Sequence, residues 1–213
     1  MATYVEGGAS RETEGVGLLT EGVAGVAIIA LAIIALAGVS VDALASIATI
    51  VIGVGLMAQG FNAAGESTRI AGVQNPEWTG EIAIDCVAGL AGIVLGILAL
   101  VGIHSFYLMA AALIVFGGAL LLGGALAMQA RPMPSMTAGG TQVVAYRSGA
   151  SATGGIEVLV GIAAVVLGIL ALTIAGVGGV LILVGFIAIG ATLLTVGATF
   201  STTVLRMFTA TAR

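Results

Sequence analysis

The chain has 213 residues, of which 60% are hydrophobic and 8% are charged, and its formal net charge at pH 7 is −4. Soluble domains carry a charge on about a quarter of their residues, so this composition excludes an ordinary soluble domain and predicts an all-α integral membrane protein surrounded by a lipid bilayer. The basic residues are all arginines spread along the chain, and they form no basic patch that would bind nucleic acid.

In chain order, a tail is followed by six apolar runs. Residues 1–17 are rich in glycine and glutamate, and we predict a flexible acidic tail. Each apolar run is close to the ~20 residues with which a helix crosses a bilayer, so we expect six transmembrane helices within residues 18–200 and a second tail at 201–213. The predicted spans are 22–38, 45–61, 82–103, 107–128, 156–175 and 179–199.

One pattern recurs three times along the chain. An acidic residue is followed four residues later by a glycine and eleven residues later by a second small residue, which lies on the same helix face because seven residues make two turns. We therefore predict three repeated helical hairpins, at about 18–61, 80–128 and 154–199, with a pseudo-threefold arrangement as one packing. The repeated residues are Glu21, Gly25 and Ala32, then Asp85, Gly89 and Gly96, then Glu157, Gly161 and Gly168; the even-numbered helices align through Gly53, Gly117 and Gly190.

The arginines predict the orientation. In a six-span topology all of them fall on one side of the membrane, and the three short turns on the other side carry none. By the positive-inside rule, both termini are expected to face the cytoplasm, in a multi-pass protein of the cytoplasmic membrane. The arginines are Arg11, Arg69, Arg131, Arg147, Arg206 and Arg213.

Three acidic residues stand near the predicted starts of the odd-numbered helices, and two interpretations remain open. The structural one makes Thr20, Thr79 and Thr153 candidate N-caps, with each carboxylate stabilised by the helix dipole. The functional one notes that a carboxylate at bilayer depth costs ~2.5–3.5 kcal/mol and often marks an ion or proton path. It predicts a cytoplasm-facing carboxylate cluster of Glu21, Asp85 and Glu157, with Glu81 one helical turn before Asp85.

Other chemistry-bearing residues are sparse, and we predict no enzyme, cofactor or metal site. His104 is the single histidine and is expected in a turn, so no Ser/His/Asp set can be assembled. Cys86 is the single cysteine, and no cysteine and histidine cluster has zinc spacing. The many glycines predict close helix packing, either within the bundle or between subunits of a homo-oligomer.

The hairpin phrase resembles a known family. Gly89, the run Leu95-Gly96-Ile97-Leu98-Ala99-Leu100, a short turn, and the glycine pairs Gly117-Gly118 and Gly123-Gly124 are similar to the repeat unit of the HdeD-like family of small acid-resistance membrane proteins. The resemblance covers about residues 18–200. It implies six spans in three hairpins and a role in stress or acid tolerance, and it brings no catalytic residues with it.

Two functions therefore stand as expectations. The first is a structural or accessory integral membrane protein that packs beside itself or beside other membrane subunits, which the small-residue faces favour. The second is a small channel or transporter that uses the carboxylate cluster.

Overall fold

The computed structural model describes residues 22–71, 76–129, 142–174 and 176–211, and its side chains within 22–61, 83–126, 154–174 and 176–195. The described residues form six helices and no strand, which confirms the all-α prediction. The helices are α1 (Gly22–Leu36), α2 (Val41–Ala71), α3 (Pro76–Leu100), α4 (Ser105–Gln129), α5 (Gln142–Thr173) and α6 (Gly178–Thr211).

Five of the six helices, α2 to α6, are long and apolar enough to cross a membrane. The described part of α1 is apolar but shorter, and the residues before Gly22 lie outside the described part of the chain. Within the described side chains, the apolar segments include Val41–Phe61 in α2, Gly154–Thr173 in α5 and Gly178–Thr195 in α6, and the helical backbone of each runs further toward one end of the bundle.

Tight turns join α1 to α2, α3 to α4 and α5 to α6. Each turn contains a glycine with a positive φ, Gly38 at 89°, Gly102 at 88° and Gly176 at 95°, a conformation that side chains with a Cβ rarely adopt. Ser40 and His104 also have positive φ, at 41° and 46°, and their carbonyls accept the first hydrogen bonds of α2 and α4. We call this side of the bundle the turn end, and the side with the connections 72–75 and 130–141 the connection end.

The helices form an inner and an outer set. In the apolar segments of α2, α4 and α6, 44–50% of the residues are buried, against 22–28% in α3 and α5. The three inner helices contact one another and fill the centre of the bundle with large side chains that are fully buried. The largest of these are Phe116, Phe186, Ile52, Leu56, Leu113, Ile189 and Leu193.

Outer helices meet inner ones at three glycine crossings, where two backbones touch. A Cβ placed on Gly89 of α3 would lie 2.6 Å from the carbonyl oxygen of Gly53 in α2. A Cβ on Gly161 of α5 would lie 2.6 Å from the carbonyl oxygen of Gly117 in α4. Helix α1 crosses α6 in the same way, since a Cβ on Gly25 would lie 2.7 Å from the Gly190 oxygen. Close approach of this kind is possible only between residues without a side chain.

Candidate functional site

Two of the predicted acidic residues lie inside helices rather than at their starts. Helix α3 begins at Pro76 and α5 at Gln142, so Thr79 and Thr153 are internal residues of α3 and α5 and not N-caps. The prediction that Thr79 and Thr153 are N-caps is therefore wrong, and Thr20 lies outside the described residues. Asp85 lies nine residues after the start of α3 and Glu157 fifteen residues after the start of α5, within the apolar segments Ala83–Leu100 and Gly154–Thr173.

The structure brings Asp85 and Glu157 to the same level of α4. Both side chains are half-buried. An Oδ1 atom of Asp85 lies 3.8 Å from the position that a Cβ of Gly123 would take, and the Cβ of Glu157 lies 3.1 Å from the corresponding position on Gly124. The Asp85 carboxylate and the Cβ of Glu157 thus lie beside neighbouring glycines of one inner helix, from α3 and from α5.

The helix packing explains this placement. Helix α4 is joined to α3 by the turn at 101–104 and is crossed by α5 at Gly117 and Gly161. Gly123 and Gly124 lie less than two turns further along α4, at its connection end, and both are buried. A side chain on Gly124 would also meet the carbonyl oxygen of Gly154 at 2.7 Å, so α5 fits closely here because this residue is glycine.

The remaining members of the predicted cluster are not described in the same detail. Glu21 lies outside the described residues. Glu81 lies within the backbone of α3, one turn before Asp85, and its side chain is outside the described set. Among the described residues, no group of three His, Cys, Asp or Glu side chains could hold a metal ion.

His104 and Cys86 are far from each other along the bundle. His104 is exposed at the turn end, and its ring centroid lies 6.4 Å from that of Tyr107. Cys86 is half-buried on α3 beside Asp85, at the connection end. Among the chemistry-bearing side chains that the structure describes, Asp85 and Glu157 lie beside neighbouring glycines of α4. His104 lies at the opposite end of the bundle.

The core between the inner helices contains three polar side chains, and each is satisfied within its own helix. Ser46 donates to the Asp42 carbonyl at 2.7 Å, Thr49 to Ala45 at 2.8 Å and Thr192 to Ala188 at 2.8 Å. No buried side-chain nitrogen or oxygen in the described part of the chain lacks a partner. The three hydroxyl hydrogens are therefore all used within the helices that carry them.

Sequence reasoning missed the fit between Gly92 and Phe116. The Phe116 ring, which is fully buried on α4, occupies the space next to Gly92 of α3, so that a Cβ on Gly92 would overlap two of its ring atoms. A signal was present in the sequence. Seven residues after the acidic residue of each repeat, α1 has Ile28, α5 has Ala164 and α3 has Gly92, the smallest of the three. The neighbouring inner helix α4 carries the large Phe116.

Comparisons with known proteins add no relative. No family model matches the chain, and no curated protein and no solved structure matches it either.

Proposed function

We propose that this protein is a structural or accessory integral membrane protein. The observation that carries the proposal is the filled centre of the bundle. Phe116, Phe186, Leu113, Ile52 and Leu193 are all fully buried between the inner helices. Interiors packed in this way hold few voids larger than a water molecule, so the axis of the bundle offers support rather than passage.

We further propose that the bundle consists of three copies of one hairpin around a pseudo-threefold axis. The support comes from the sequence spacing of the repeated residues and from the helix crossings that they form. Gly25 and Gly89 are as far apart in sequence as Gly53 and Gly117, and each forms a crossing with an inner-helix glycine. Buried positions on the inner helices recur at the two intervals that separate Gly53, Gly117 and Gly190, which are 64 and then 73 residues. They are Ala45, Met109 and Ile182; Ala48, Ala112 and Gly185; Thr49, Leu113 and Phe186; Ile52, Phe116 and Ile189; and Leu56, Leu120 and Leu193.

The orientation proposed from the arginines is compatible with this arrangement. Arg69, Arg147 and Arg206 belong to the parts of α2, α5 and α6 that extend beyond the apolar segments at the connection end. In a bacterial or archaeal cell, the positive-inside rule would set this end, with both termini, on the cytoplasmic side of the cell membrane.

The exposed surface supports lipid or other membrane subunits as neighbours. Large apolar side chains such as Val87, Leu90, Leu159 and Val180 are each more than half exposed. An accessory subunit, or a homo-oligomer, would cover part of this surface and leave the rest to lipid. The family resemblance adds a stress or acid-tolerance setting as the physiological context of the proposal.

The test is purification from native membranes in a mild detergent, with mass spectrometry of everything that co-elutes with the tagged chain. An accessory subunit predicts partners, or further copies of the chain, in a fixed ratio that survives repeated chromatography. A chain that elutes alone as a single copy, at every detergent and salt concentration tested, would contradict the accessory role.

A second candidate function, a small channel or transporter, is favoured by one specific observation. Asp85 and Glu157 are half-buried within the apolar segments of α3 and α5, beside Gly123 and Gly124 of α4, and acidic residues inside transmembrane segments often mark an ion or proton path. Proton or cation flux into liposomes that falls when Glu21, Asp85 and Glu157 are changed to Gln, Asn and Gln would select this function. Flux equal to that of empty liposomes would reject it.

A further inference from the structure

The turn between α5 and α6 is one residue longer than the other two tight turns. From the leucine that ends the apolar phrase of the odd-numbered helix to the recurring buried position of the inner helix, the distance along the chain is nine residues in the first two hairpins and ten in the third. The pairs are Leu36 and Ala45, Leu100 and Met109, and Leu172 and Ile182. The third turn is also rich in glycine, at 176, 178 and 179. The repeat therefore departs from its own pattern at this turn.

A pocket of about 360 Å³ lies beside this turn, at the turn end of the bundle. Phe106 and Tyr107 at the start of α4 form one wall, and the end of α5, the turn and the start of α6 form the others. The Phe106 ring fits against Gly178, where a Cβ would lie 2.6 Å from a ring atom. Small-molecule sites have volumes of roughly 300–1,000 Å³, so the pocket is large enough for a small molecule or a lipid head group.

The groups that line the pocket suit an ammonium group. Among the residues that the structure describes, none of those lining the pocket has a charged side chain. The last carbonyl groups of α5 carry the negative end of its helix dipole. Thr173 donates its hydroxyl hydrogen to the carbonyls of Ile169 and Leu170, at 3.2 and 3.1 Å, which leaves its oxygen as an acceptor. The Phe106 and Tyr107 rings, with centroids 5.5 Å apart, attract a cation at their faces.

The pocket lies at the level where the bilayer meets water. The apolar segments of α4 and α6 begin here, at Ser105 and Gly178, and that of α5 ends here, at Thr173. Tyr107 is 60% exposed, and tyrosine is enriched at membrane interfaces. Exposed apolar side chains follow along α6, at Val180 and Val184. A ligand in the pocket can therefore keep its polar part at the bilayer surface while apolar chains extend beside α6.

We infer that this pocket binds the head group of a zwitterionic phospholipid. The ammonium group lies against the Phe106 and Tyr107 rings and the carbonyl end of α5, and the adjoining phosphate lies toward the first amides of α6, at Gly178 and Gly179. The dipoles of α5 and α6 have opposite signs at this point, so both charges of the head group are matched. The inference is independent of the accessory role.

The experiment uses the full-length protein, purified in detergent and stripped of lipid, and measures the rebinding of lipid by native mass spectrometry. The probes are phosphatidylethanolamine, which has an ammonium group, and phosphatidylglycerol, which has the phosphate without it. We expect the first phosphatidylethanolamine molecule to bind about ten times more tightly than phosphatidylglycerol. Equal affinities would overturn the inference. Soluble phosphoethanolamine should not displace the lipid at equal concentration, and displacement would mean a site for a free solute and would overturn the assignment to lipid.

Two matched glycine variants locate the binding. A Cβ on Gly179, which lines the pocket, or on Gly118, in the middle of α4, would meet no atom within 4 Å. Gly179→Leu places a side chain in the pocket and should weaken phosphatidylethanolamine binding about tenfold, whereas Gly118→Leu should leave it unchanged. Tyr107→Leu removes a ring and should weaken binding about fivefold, while Tyr107→Phe keeps the ring and the affinity. Unchanged affinity in both Gly179→Leu and Tyr107→Leu would overturn the assignment to this pocket.

Discussion

The inner and outer helices of this bundle are equally apolar in sequence but are packed in opposite ways. Inner helices α2, α4 and α6 place large side chains such as Phe116 and Phe186 in the core. Outer helices α3 and α5 place small residues there, such as Gly89 and Ala164, and turn Leu90 and Leu159 outward. In a bilayer both faces of a helix are apolar, so residue size rather than hydrophobicity decides which face is buried.

The largest effect is expected from removing a large side chain from the core between the inner helices. Phe116→Ala removes a fully buried ring from the centre and should lower the free energy of unfolding by about 3–5 kcal/mol, because the surrounding helices relax only in part. Denaturant titration in mixed micelles measures this. The control is Leu122→Ala on the same helix, where the side chain is 52% exposed, and it should change stability by less than about 0.5 kcal/mol. Similar losses from both variants would contradict the distinction between core and lipid face.

A smaller effect is expected from adding one methyl group at a glycine crossing. Gly53→Ala, Gly117→Ala and Gly190→Ala each place a Cβ within about 3 Å of a facing backbone oxygen, and overpacking of this kind costs about 1–3 kcal/mol. Because the facing oxygen lies at 2.6 Å for Gly53, 2.8 Å for Gly117 and 3.1 Å for Gly190, we expect the loss in thermal stability to be largest for Gly53→Ala and smallest for Gly190→Ala. Gly118→Ala, which meets open space, is the matched control. If one of these variants is as stable as the control, the two backbones do not touch at that crossing.

A double-mutant cycle tests whether inner and outer residues are fitted to each other. Gly92→Ala should be destabilising in the natural chain because its methyl group would overlap the Phe116 ring. In a Phe116→Leu background, the same change should cost about 1 kcal/mol less, which is within the range of coupling between residues in contact. Additive effects in this cycle would mean that the two positions do not share a packing space.

The smallest effect concerns the turns that join the outer helices to the inner ones. His104 has a φ of 46°, and a residue with a Cβ is strained there, so His104→Gly should raise the stability by about 0.5–1 kcal/mol. Gly102→Ala, at a φ of 88°, should lower it by about 1–2 kcal/mol. Differential scanning fluorimetry on both variants checks the signs, and a loss of stability in His104→Gly would show that its side chain is needed.

Sequence reasoning predicted the helices of this fold better than it predicted which helices pack against each other. In each odd-numbered helix, the seven-residue spacing places the glycine and the next small residue of the repeat on one face, and the structure puts Gly25, Gly89 and Gly161 at crossings. Their partners, Gly53, Gly117 and Gly190, could be aligned with one another but not assigned to an opposing helix. Nothing in the apolar pattern says that Gly89 packs against the preceding pair of helices rather than against its own partner α4.

The candidate site was less predictable than the fold. The sequence predicts helix starts near the edges of the apolar runs, which makes Thr79 and Thr153 candidate N-caps and leaves a cluster with Asp85 and Glu157 as the alternative. The polar segments before these runs are also helical, since α3 starts at Pro76 and α5 at Gln142. Side chains outside the apolar run do not oppose helix formation, so the run marks the bilayer segment and not the end of the helix.

The most direct test of a closed centre is the reactivity of a cysteine placed in it. In a Cys86→Ala background, Thr49→Cys substitutes a fully buried hydroxyl between the inner helices, and Ser40→Cys substitutes an exposed residue in a turn. A charged, membrane-impermeant thiol reagent should label the cysteine at position 40 rapidly in folded protein and leave the one at position 49 unlabelled until denaturation. Comparable labelling of both in the folded protein would reveal a water path along the axis and contradict a purely structural bundle.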